Sequence, residues 1–304
     1  MSAPSNFADR LCAAVEAKGT CAIVGLDPHL DLLPPEYEAA ADVSLARSRR
    51  AVRMGDYCCE LLEVIASLVP AVKPQSAFFE VLGADGVLQW ERVVRRAREL
   101  GLLVIGDVKR GDISSTARAY ASAFLEGAGA AEAAACDAIT LSAFLGSDSI
   151  EPFLEVCART GTGIFVLVRT SNPGSADFQR LGTPELSFAI AAHVSRWGEQ
   201  LVGECGLSSV GAVVGATHAK ELATFREQMP RAPFLLPGYG AQGATARDLS
   251  GAFTGLRRGA LVNSSRGICF AYKEARYAHL TWQAAAQAAT RAMISDLKLA
   301  EGGR

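Results

Sequence analysis

LLVIGDVKRGDISST, residues 102–116, joins an uninterrupted apolar run to a tight cluster of charge: Asp107, Lys109, Arg110 and Asp112. The run is short and aliphatic and shows no polar alternation, the pattern of a strand buried on both faces. Alternate side chains of an extended strand share a face, so Asp107 and Lys109 point the same way. Asp112 falls just past the strand end, where a loop can turn it back toward that face. A surface ion pair is worth little energetically. Opposite charges packed at the mouth of an apolar strand read instead as a catalytic array.

Runs of the same kind recur on both sides of this one: CAIVGLD (21–27), VPAVKP (69–74), AITLS (138–142), GIFVLVR (163–169), VGAVVGA (210–216), FLLPGYG (234–240) and ALVNSS (260–265). With LLVIGDVK (102–109) they make eight. The segments between them carry helix periodicity. Ile150, Phe153, Leu154 and Cys157 fall at i, i+3, i+4 and i+7, with Ser149 placed to cap and Gly161 beyond the end. Val52, Cys59, Leu62 and Ala66 form a second stripe, stopped by Pro70. Phe7 to Lys18 reads as a leading helix. Eight buried strands alternating with helices predict an α/β chain folded as one closed (β/α)8 TIM barrel. The expected domain is 1–304, with a core at about 21–268, flanking terminal helices and a Pro-rich insertion at 28–45 between the first strand and its helix.

The 304 residues are half hydrophobic and a fifth charged, ample for a large core, and carry a formal net charge of −2. No basic block appears, which argues against nucleic acid and against an anionic membrane surface. The eight cysteines form no C-x-x-C pair, and isolated thiols of this kind behave as small buried hydrophobes. MSAPSNFADR lacks a basic n-region followed by an apolar core, and no apolar stretch approaches membrane length. These features predict a reduced, cytoplasmic protein. The four histidines are isolated and form no triad with a nucleophile.

In barrels of this class the chemistry sits at the C-terminal ends of the strands. Here every such end is polar: Asp27, Lys73, Asp107 with Lys109, Ser142, Thr170 with Ser171 and Asn172, Thr217, Gly238 with Gly240, and Asn263 through Arg266. Consecutive strands are usually neighbours, so Lys73, Asp107, Lys109 and Asp112 are expected to alternate in sign around one cavity. Carboxylates on either side equip Lys109 as a proton donor. Two aspartates also suit magnesium. Lys109 and Arg110 already supply positive charge there, so no metal is expected. PGYGAQGA (237–244) and NSSRGI (263–268) form a two-part anion grip, with glycine amides and the Arg266 fork suited to phosphate. PGYGAQG also fits G-x-G-x-x-G, but the next strand ends in Asn263 and Ser264 rather than in an acid for ribose. TSNPGSADFQ (170–179) is a polar loop able to read the edges of a polar ring and long enough for a lid.

Taken together these motifs resemble the orotidine 5′-phosphate decarboxylase family. Its signature D-x-K-x-x-D-I-x-x-T is present as Asp107, Lys109, Asp112, Ile113 and Thr116. GLDPHLDLLP, AVKPQSAFFE, SAFLGSDSIEPF, VRTSNPGSADFQ, VVGAT, LLPGYGAQGA and VNSSRGI are similar to its longer bacterial branch, type 2. The resemblance implies conversion of orotidine 5′-monophosphate to UMP and carbon dioxide in pyrimidine biosynthesis, without metal or organic cofactor. It implies that Asp27 and Lys73 hold the ribose, Asp107 lies against the departing carboxylate, and Lys109 protonates C6. It assigns the phosphate to Gln242 and Arg266, beside Gly238 and Gly240, and the pyrimidine to Thr170, Ser171 and Asn172. It also implies a homodimer in which Asp112, Ile113 and Thr116 enter the partner subunit's site. The rival readings are a magnesium-dependent sugar-phosphate lyase on the same barrel and a silent nucleotide-binding barrel.

Overall fold

The structure, a computed structural model, describes residues 6–127, 135–216, 219–240, 245–253 and 259–302. Helix α1 (Phe7–Lys18) starts where the Asn6 side chain accepts the Ala8 amide and stops at Gly19, whose φ of 62° suits glycine. Eight parallel strands then close on themselves in sequence order: β1 (Ala22–Leu26), β2 (Ala71–Pro74), β3 (Leu103–Arg110), β4 (Ala138–Leu141), β5 (Gly163–Arg169), β6 (Val210–Val214), β7 (Phe234–Leu236) and β8 (Ala260–Ser264). The last pairs with the first, Ala22 beside Val262. Seven of the strands have almost wholly buried residues, as near-continuous apolar runs require.

Helices α2 (Arg47–Ile65), α3 (Ala77–Glu80), α4 (Gly83–Glu99), α5 (Ser114–Ala121), α6 (Glu151–Thr160), α7 (Ala176–Gln179), α8 (Leu186–Trp197), α9 (Ala219–Gln228), α10 (Arg266–Cys269) and α11 (Trp282–Gly302) follow in order. The unit after β7 is a 3-10 turn, Ala246–Ala252, among the described residues. The 28–45 insertion is tied down. Tyr37 packs edge-on against Tyr57 of α2 and Trp282 of α11, and the Trp282 indole donates to Glu36 at 2.5 Å.

Two local expectations need correction. Ser149 does not cap α6. Its hydroxyl donates to the Gly146 carbonyl inside a preceding 3-10 turn, and Ile150 takes the cap position without a side-chain bond. Gly161 does end α6, with φ 71°. In α2 the stripe holds in part: Leu62 and Ala66 are buried and Cys59 packs partly against the core, but Val52 is exposed, Met54, Cys58, Leu61 and Ile65 complete the buried face, and the helix ends well before Pro70. Small residues cause the difference at Val52, because Ala51 and Gly55 occupy the buried face.

Inside the barrel the inward residues stack in layers. The lower layer is apolar, with Ile23, Ala71, Ile105, Ala138, Phe165 and Leu261 gathered over Phe7 and Leu11 of α1, which close the floor. Gly211 exists for Phe165, since a Cβ there would lie 2.5 Å from the ring. One step up each strand, the inward positions are Asn263, Gly25, Lys73, Asp107 and Thr140 on β8 through β4, and Leu167 and Val213 on β5 and β6. The upper layer therefore has a polar half and an apolar half.

Candidate active site

Asp107 is the centre of the polar half. Its Oδ2 accepts Lys73 Nζ at 2.5 Å and Gln75 Nε2 at 3.1 Å, and its Oδ1 accepts Lys109 Nζ at 2.5 Å and Thr140 Oγ1 at 2.9 Å. Lys73 and Asp107 are nearly sealed from solvent, with side-chain exposures of 6% and 9%, whereas Lys109 is 45% exposed and reaches the carboxylate from the cavity. Burial alone would push the Asp107 carboxyl up. The charges and hydrogen bonds of Lys73 and Lys109 outweigh it and hold the group well below the usual carboxylate range. Burial would likewise lower Lys73, but Asp107 and Asp27 raise it, so both partners stay charged.

Local backbone sets this arrangement. The β3–β4 register slips between Gly106 and Arg110, and Lys109 sits at φ 42°, a left-handed conformation that costs a non-glycine residue energy. Such outliers gather at functional sites. On β1, Gly25 leaves the space that Ser265 and Asn263 need, since a Cβ there would lie 2.0 Å from Ser265 Oγ. Beside it, Asp27 Oδ1 and Asn263 Oδ1 are buried without a hydrogen-bond partner, open acceptors at the β8–β1 seam.

Lys73, Asp107, Lys109 and Thr140 line a cavity of about 460 Å³ with Thr170, Ser171, Asn172 and Gln179 from the loop after β5. Its other wall is Leu167, Val213, Leu235 and Pro237. Gln179 clamps that loop, accepting the Thr170 amide at 2.9 Å and donating to its hydroxyl at 2.8 Å. Gly240 and Arg266 line a second cavity, of about 630 Å³, which shares no described lining residue with the first. Gly238 and Gly240 have φ of 102° and 71°, so the turn they make needs glycine. Arg266 opens α10, which is only four residues long, so a helix dipole adds little to the charge of its side chain. Gln242 and Thr217 lie outside the described residues.

Asp112, Ile113 and Thr116 are not brought to this cavity. The Asp112 carboxylate accepts the Ile113 amide at 2.8 Å, and Ile113 and Thr116 are exposed at the start of α5. The expectation that the loop returns Asp112 to the face of Lys109 within one chain is thus corrected. Among the described residues no group of three His, Cys, Asp or Glu side chains gathers to hold a metal ion. Gln75, Thr140 and Gln179 are site residues that sequence reasoning did not single out. Thr140 had a signal, a hydroxyl inside the apolar run AITLS.

A closed parallel barrel whose mouth holds a lysine–aspartate–lysine array beside an apolar wall defines a barrel enzyme built to handle separated charge. The pattern of the Orotidine 5′-phosphate decarboxylase / HUMPS family matches residues 23–279, and the chain belongs to this family. It is 42% identical to the orotidine 5′-phosphate decarboxylase of Rhodopirellula baltica, over 96% of this chain and 99% of that one. It is 44% identical to that of Deinococcus radiodurans, over 88% and 90%. The solved structure of Leishmania donovani OMP decarboxylase superposes with a TM-score of 0.76 at 30% identity, covering 97% of this chain and 98% of the other.

Proposed function

We propose that this protein is an orotidine 5′-phosphate decarboxylase, a carboxy-lyase in which one barrel domain converts orotidine 5′-monophosphate to UMP and CO2. The observation that carries the reading is the buried Asp107 carboxylate held between two ammoniums at the floor of the cavity. The substrate carboxylate lies beside Asp107 and Lys109. As the C6–carboxyl bond breaks, its electron pair stays on C6 and CO2 leaves toward the apolar wall of Leu167, Val213 and Pro237. Lys109 then gives its proton to C6. A preorganised ammonium facing developing negative charge stabilises the transition state more than the ground state.

The remaining roles reach beyond that cavity, whose described lining does not include Asp27, Gly238, Gly240 or Arg266. Asp27 and Lys73 take ribose hydroxyls, which agrees with the open acceptor on Asp27. Thr170, Ser171 and Asn172 read the pyrimidine from the clamped loop. Arg266, with Gly238, Gly240 and Gln242, takes the phosphate. Asp112, Ile113 and Thr116 serve the neighbouring site of a homodimer. The exposed apolar residues Ile113, Phe144 and Leu145, on loops after the adjacent strands β3 and β4, support that contact. None of the eight cysteines forms a disulfide and most are buried, which suits a cytoplasmic setting, and among the described residues no helix is long and apolar enough to cross a membrane. The test is loss of orotidine monophosphate absorbance on adding purified protein in the presence of a chelator. Lys109→Ala should abolish that turnover while UMP binding persists. Near-normal turnover in the variant overturns the proton-donor role.

A further inference from the structure

Thr140 stands inside β4, 1% exposed, between Ile139 and Leu141. Its hydroxyl accepts the backbone N–H of Lys109 at 3.0 Å and donates to Asp107 Oδ1 at 2.9 Å. The same carboxylate oxygen takes the Lys109 ammonium at 2.5 Å. One hydroxyl therefore touches both the backbone of the proton donor and the group that its side chain grips. A hydroxyl suits this because it accepts and donates at once.

Lys109 needs such a hold. Its φ is 42°, and the register slip places its amide on a threonine hydroxyl where a regular parallel strand would offer a carbonyl. Its side chain is 45% exposed, so packing alone does not fix it. We propose that Thr140 is a positioning residue for the proposed proton donor, its hydroxyl locking the Lys109 backbone in the left-handed conformation and fixing the Asp107 carboxylate that aims the ammonium. The inference rests on the decarboxylase reading for its consequence in turnover, and on the geometry alone for its consequence in the backbone.

Two variants test it. Thr140→Val replaces the hydroxyl by a methyl at nearly constant shape, leaving the Lys109 amide without its acceptor. Thr140→Ser keeps the hydroxyl and loses the methyl. Thr140→Val should lower kcat about 100-fold, the scale on which a ~1 Å misplacement acts, while KM for orotidine monophosphate stays within about threefold. Thr140→Ser should recover most of that loss. Hydrogen exchange at the Lys109 amide supplies a readout that needs no turnover: it should speed up at least about tenfold in the valine variant and not in the serine variant. Equal impairment of both variants, or valine turnover within about threefold of wild type, overturns the proposal. If the wild type releases no CO2, the decarboxylase reading fails, and the amide exchange still decides whether Thr140 holds Lys109.

Discussion

Asp107 serves two lysines that differ in exposure, and the difference separates stability from activity. Lys73 is sealed in the barrel, so removing the carboxylate it is bonded to leaves a buried cation with only the charge of Asp27 to offset it. Breaking a buried pair on one side costs roughly 3–5 kcal/mol. Asp107→Asn should therefore lower unfolding free energy by about that much at pH 7 in urea titrations. Lys109→Ala should cost far less, because that side chain is half in solvent and its loss still leaves Asp107 paired with Lys73. The acid limb has a defined sign. Because the folded carboxyl lies below its ordinary value of 3.8, its stabilisation is fully present above that pH. It fades as pH falls from there toward the depressed folded value. The gap between wild type and Asp107→Asn should thus narrow when both are melted at progressively lower pH below 3.8, and a gap that widens on acidification would contradict the pairing.

At the scale of elements, the barrel positions this charge by sheet parity and the loops complete it. The loop after β5 is held by α7, where Gln179 bonds both the amide and the hydroxyl of Thr170. The buried Arg169 ties the same loop to Ser175 and to Glu221 of α9. Each neutral hydrogen bond contributes about 0.5–1.5 kcal/mol. Gln179→Ala should consequently raise KM for the nucleotide roughly tenfold with a smaller effect on kcat, seen in steady-state kinetics. An unchanged KM would mean that the loop is held without Gln179. What was legible in the sequence follows the same division. Parallel strands buried on both faces announce themselves as eight apolar runs, and the polar strand ends mark the rim. Lys73 and Asp107 were legible because parity and strand order bring them together, and Lys109 because it stands two residues from Asp107, although a left-handed backbone at a register slip sets its position. Thr140 and Gln75 were not, because their roles depend on cross-strand register and a bulge that joins residues 33 and 32 positions apart. The α2 face was read correctly at Leu62 and Ala66 but not at Val52, because the buried side at that end carries small residues, Ala51 and Gly55, silent in a hydrophobic pattern.

For the whole molecule, the cavity of one chain is missing the second carboxylate of its signature. Asp112 is turned onto the Ile113 amide, and the loop carrying it is exposed beside apolar side chains, Ile113 at 49%, Phe144 at 80% and Leu145 at 49%. Exposed apolar groups around a charged residue are expected where a second copy packs, and a two-fold contact is reciprocal, so each chain gives what it receives. Under the proposed homodimer, Asp112 of the partner subunit completes the array. Asp112→Ala and Lys109→Ala chains should each be inactive alone. A mixed dimer of the two holds one site with both defects and one site with neither. After subunit exchange, verified by mass-tagged chains, decarboxylation should return to about half of the wild-type rate per mixed dimer. If Asp112 served its own chain, every site in the mixture would keep one defect. Exchange without recovered activity therefore rejects the shared site, and a monomeric sedimentation profile at assay concentration would reject it before any mixing.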